Sequence, residues 1–161
     1  MAVIDITRES SGWRAIPRVE ALVRRAAEAA LAGADIVTRA DAEISLLLTN
    51  DATIRDLNAQ WRNKDKATNV LSFPAASIDQ LADARALGDI VIALETVLAE
   101  ARDEDKTPAD HLTHLVVHGV LHLLGFDHED DEEAEEMEEL ETLILAKLGV
   151  ADPYVAVGVD A

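Results

Sequence analysis

Cysteine is absent, which excludes disulfides, thiolate metal sites and cysteine nucleophiles together. A reducing, cytoplasmic setting is the expectation for such a chain. Aromatic residues make up only 3%, so the core must be assembled from Leu, Val, Ile and Ala. No stretch approaches the roughly 20 apolar residues that cross a bilayer. The first ten residues interrupt their apolar positions with Asp5, Arg8 and Glu9, unlike a secretion signal. No membrane partner is expected. Basic residues are also few: 14 Lys and Arg against 32 Asp and Glu give a net charge of -18, which taken whole opposes attraction to nucleic acid. The excess is uneven, because ten acids and no base lie between Glu129 and Glu141, leaving -8 of the -18 for the rest. A run of this kind is ordinarily a solvated helix face.

What is present reads as one domain over residues 1–161. Residues 3–7 alternate with period two and 44–48 form a short apolar run, both strand patterns. Between them, residues 19–31 carry apolar positions at helical spacing. Asp51 is a candidate helix cap before Ile54, Leu57 and Trp61, which places a helix over about 52–62. Residues 70–73 read as a strand closed by Pro74, and 88–93 as a fourth strand, with a helix over 95–102 after it. Thr107, Pro108 and Asp110 make a cap, a first-turn proline and an early acid, starting a helix that runs to about Leu124, where Gly125 ends it. A last, acidic helix over about 130–148 places Ala134, Met137, Leu140, Ile144 and Leu148 at three- and four-residue intervals. The fold class is α+β with an α/β-like interleaving: a small mixed sheet of about four strands packed with about five helices.

The central helix carries the chemistry. At about 100° per residue, His118 and His122 fall about 40° apart on one face, one turn above the other. Gly125 lets the chain turn back, and His128 follows His122 by six residues, giving His-x3-His-x5-His. Zinc takes neutral ring nitrogens, and a catalytic site keeps three protein ligands and one open position. The pattern therefore points to a zinc-dependent hydrolase with one Zn2+ on His118, His122 and His128. His114, one turn earlier on the same stripe, either orients a ligand or is a hydrogen-bonded core histidine. Asp127 either accepts a ring N–H or closes a surface loop. His111, at the helix start, is expected to face solvent.

The segment 118–128, HGVLHLLGFDH, resembles the signature of the YbeY family of bacterial endoribonucleases that act in ribosomal RNA maturation. LNAQWRNKDKATNVLSFP at 57–74, LGDIVI at 87–92 and EDDEEAEEMEELE before Gly149 and Pro153-Tyr154 resemble its other blocks, about 98 residues in all. The resemblance implies zinc on the three histidines, a functional arginine at Arg62, and single-stranded RNA as substrate. It further implies work at the 3′ end of small-subunit ribosomal RNA and in ribosome quality control, with small-subunit proteins and an assembly GTPase as partners. Ala67 stands where the family commonly has proline, and Trp61 where it has tyrosine.

Two other readings compete. The same histidine spacing occurs in metzincin peptidases, which place a general-base glutamate directly after the first histidine; this chain has Gly119 there. The other is a ribosome-assembly factor with a mainly structural metal, whose acidic helix docks on basic partners.

Overall fold

The computed structural model describes residues 2–64, 66, 68–126 and 130–154. They form β1 (Val3–Arg8), α1 (Val19–Gly33), β2 (Glu43–Thr49), α2 (Asp51–Arg62), β3 (Val70–Pro74), β4 (Ala86–Ala93), α3 (Leu94–Asp103), α4 (Pro108–Leu123) and α5 (Asp131–Lys147). Short 3-10 turns cover Ser11–Ala15 and, between β3 and β4, Ile78–Gln80. The expected four strands and five helices are thus present in one small domain.

The strand order is β1-β2-β4-β3. β1, β2 and β4 run parallel, and β3 runs antiparallel to β4. Parallel neighbours need a crossover, which α1 supplies between β1 and β2, while β3 returns alongside β4 and becomes the sheet edge. Strand alternation then sorts the side chains. Ile44, Leu46 and Leu48 of β2, with Ile90 and Ile92 of β4, point to the face covered by α1 and α4 and are buried. On the opposite face α2 sets Ile54 over Leu71, Val91 and Ala93.

α4 is apolar almost all round, the pattern of a helix enclosed by its neighbours, and Leu112, Val116, Val117 and Val120 are fully buried. Its start is the expected one, with Thr107 Oγ1 accepting from the Asp110 amide at 3.1 Å and Pro108 opening the first turn. Its end is a Schellman turn: the Phe126 amide donates to Leu121 O at 3.0 Å and the Gly125 amide to His122 O at 3.1 Å. This geometry needs a left-handed residue, and Gly125 takes it at φ 96°.

Two local expectations are corrected. The cap of α2 is Asn50, whose side chain accepts from the Thr53 amide at 2.8 Å. Asp51 is instead the first helical residue, where its carboxylate accepts from Thr96 Oγ1 at 2.7 Å and suits the positive end of the helix. His111 does not face solvent. The connection from α3 folds α4 back onto α3, so His111 is buried and sets Nε2 2.9 Å from Glu100 Oε1.

Candidate metal centre

His114, His118 and His122 stand one turn apart along α4, and all three are partly buried. The Nε2 atoms of His118 and His122 lie 3.0 Å apart, with ring planes at 77°. Two nitrogens at that separation can both reach one ion at zinc's usual 2.0–2.1 Å, subtending roughly 95°. The other nitrogen of His118, Nδ1, donates to Glu141 Oε1 on α5. A carboxylate behind the ring holds the proton on Nδ1 and turns the Nε2 lone pair outward, the arrangement that orients and strengthens a metal-binding imidazole.

Glu141 is fully buried, and its second oxygen accepts from the Tyr154 hydroxyl. His114 Nε2 stands 3.3 Å from that hydroxyl and 3.5 Å from the same carboxylate oxygen. Burial alone would push the Glu141 carboxyl up. The bonds from His114 and His118, the charge on His118 and the Tyr154 bond outweigh it and bring the group down to about 2. Tyr154 moves the other way, raised first by burial and then by the carboxylate it touches. The consequence in metal-free protein follows from linkage. A carboxyl brought from 4.5 to about 2 contributes its full stabilisation above pH 4.5 and loses it as pH falls toward 2. Glu141→Gln is expected to flatten that acid limb in urea midpoints measured across the same interval. A wild-type limb no steeper than the variant's would contradict this.

On the outer side, His118 and His122 line a cleft of about 580 Å³ together with Arg62, Asn69, Ser72, Ser77 and Phe126. Arg62 comes from the last turn of α2, Ser72 from the edge strand, and Phe126 from the turn after α4. Gly119 explains how closely α4 approaches the sheet. A Cβ there would meet Ile90 Cγ2 at 3.1 Å and Ser72 Oγ at 3.3 Å. The residue after the first histidine therefore faces Ile90 and Ser72 of the sheet, and a metzincin-type glutamate at this position would press on both side chains.

Among the described residues, His114, His118 and Glu141 bring one ligand atom each to within 4.8 Å of one another and could hold a metal ion. Glu100, Glu104 and His111 form a second such group, but the Lys106 ammonium already sits 2.9 Å from Glu104. The structure brings together Arg62, His118 and His122 around the cleft and puts His114 behind His118. His128 and Asp127 lie outside the described residues, as does Ala67. Glu141 and Tyr154 were not singled out in the sequence. A signal existed for Glu141, which stands four residues after Met137 and three before Ile144, a lone acid on the apolar stripe of α5.

A family model described as endoribonuclease YbeY matches residues 5–149. A protein named endoribonuclease YbeY from Azorhizobium caulinodans is 57% identical over 94% of this chain and 95% of its own length. Another of that name from Agrobacterium fabrum is 50% identical over 96% of each chain. A solution structure of a Thermotoga maritima protein superposes with TM-score 0.63 at 28% identity, covering 91% of this chain and 89% of that one. No described helix is long and apolar enough to cross a membrane.

Proposed function

We propose that this chain, which belongs to the endoribonuclease YbeY family, cuts single-stranded RNA at a zinc centre formed by His118, His122 and His128. One observation carries the reading: two imidazole nitrogens converge 3.0 Å apart on a cleft that Arg62 also lines. The cleft side is favoured over the inner group of His114, His118 and Glu141 because that group is enclosed. A substrate reaches the outer nitrogens directly, whereas Glu141 has no exposed surface. His114, Glu141 and Tyr154 then form the hydrogen-bonded backing of the site.

The donor set suits zinc: neutral imidazoles, one of them with a carboxylate behind it, and no thiolate. When bound, the ion supplies Lewis acidity toward a phosphate oxygen or a water molecule. The chain's own groups do the remaining work. Glu141 keeps the His118 proton on Nδ1. The Arg62 guanidinium offers a fork of N–H donors to phosphate oxygens and offsets the negative charge that grows on phosphorus. Ser72, Ser77 and Asn69 are the polar side chains of the cleft wall, and Lys64 and Lys66 follow Arg62 to meet flanking phosphates. These cations give a local positive rim on an acidic protein.

The family resemblance extends the reading to maturation of the 3′ end of small-subunit ribosomal RNA and to ribosome quality control in the cytoplasm. Small-subunit proteins and an assembly GTPase are the partners it implies. The test is cleavage of an end-labelled RNA, alone and annealed to its complement. The unpaired strand is expected to be cut at least about ten-fold faster, because a duplex keeps its phosphates and bases from entering one cleft together. Equal cutting of both forms, or none of either, would overturn the assignment.

A further inference from the structure

The edge strand β3 separates two cavities. Ser72 and Pro74 face the metal-side cleft, while Phe73 faces a groove of about 480 Å³ on the α2 side of the sheet. The last turn of α2 spans the same divide, with Arg62 lining the cleft and Trp61 lining the groove. Trp61 is 66% exposed, an unusual position for a large aromatic side chain in a chain that has so few. The groove floor is apolar, from Leu47, Leu57 and Val91, and Asp89 stands at its side.

We propose that this groove takes an unpaired base of the same RNA strand whose phosphate lies at Arg62, stacked on Trp61 beside Phe73. The proposal rests on the reading of the cleft as an RNA-cutting site and names a binding subsite for its substrate. Three features select a base over other occupants. The groove adjoins the cleft around a single strand edge, so one extended strand reaches both. Arg62 lines the cleft, Lys64 and Lys66 follow it closely in the chain, and, among the described residues, none of the three makes an ion pair. An apolar platform with one carboxylate is suited to a nucleobase, whose face stacks and, in adenine, cytosine and guanine, whose exocyclic amine donates to the acid. Stacking of this kind is tolerant of sequence, because every base has a π face.

Fluorescence separates this site from the rest of the protein. Of the two tryptophans, Trp13 is fully buried with its Nε1 donating to Thr49 O at 3.1 Å, so quenching by added RNA reports Trp61. A short 2′-O-methyl oligonucleotide is expected to quench wild-type emission on binding. Trp61→Ala is expected to weaken binding and raise KM for RNA cleavage about ten-fold, with a much smaller change in kcat, and Trp61→Phe to restore most of it. Oligonucleotides with a single abasic position, moved along the strand, should show one position whose loss weakens wild type as Trp61→Ala does and leaves Trp61→Ala unaffected. Unaltered KM in Trp61→Ala, or RNA binding without quenching, would overturn the subsite while leaving the cleft assignment standing. Loss of a protein partner with unaltered RNA binding would make the groove a protein-docking surface instead. A wild-type protein that neither binds nor cuts RNA would overturn both.

Discussion

Arg62→Ala is expected to lower kcat for RNA cleavage about 10²- to 10³-fold while zinc content and thermal stability stay near wild type. The size follows from removing a preorganised donor aimed at developing charge. The small effect on folding follows from position. Arg62 is exposed at the end of α2 and, among the described residues, forms no ion pair, and surface substitutions of that kind are usually within about 0.5 kcal/mol. Arg62→Lys keeps the charge and loses the planar fork, so only part of the activity should return. A kcat in Arg62→Ala within two-fold of wild type would reduce this residue to a surface cation.

His118→Ala is expected to have two separable effects. The first is on metal: structural zinc is worth roughly 10–16 kcal/mol over about four ligands, so losing one costs about 3–4 kcal/mol, or roughly 10²- to 10³-fold in affinity. The second is on the metal-free fold. Truncation leaves the fully buried Glu141 carboxylate without the Nδ1 donor it now has, and an under-bonded buried charge is costly. His122→Ala would remove the other proposed ligand but leaves the His118–Glu141 pair intact. Metal-free His118→Ala should therefore unfold at lower urea than metal-free His122→Ala, although both lose zinc. Equal urea midpoints would deny Glu141 its place behind the ligand.

The sequence made the frame of the site legible because its signals are local. Thr107 and Pro108 mark where α4 begins, Gly125 marks where it ends, and the four-residue step from His118 to His122 is a property of any helix. The four strands were legible for the same reason, each being a short apolar or alternating run. The backing of the site was not legible, because it depends on how α5 docks against α4. Glu141 is 23 residues from His118 and sits in a run of acids that reads as a solvated face, and most of that run is indeed exposed. Only its register with Met137 and Ile144 sets it apart. His111 failed for a related reason: a residue in the first turn of a helix faces solvent only when the preceding helix does not fold back over it. The cap of α2 falls on Asn50 rather than the expected Asp51 because both residue types can cap and only the backbone path out of β2 decides between them.

RNA cutting is expected to depend on a zinc ion held by the cleft-facing nitrogens of His118 and His122. The most direct measurement is metal content by elemental analysis of the purified protein, run beside RNA cleavage before chelation, after it, and after zinc is returned. One zinc per chain, activity lost with the metal and recovered with it, and neither zinc nor activity in His118→Ala is the result expected here. Full RNA cleavage by protein stripped of every divalent ion would contradict it.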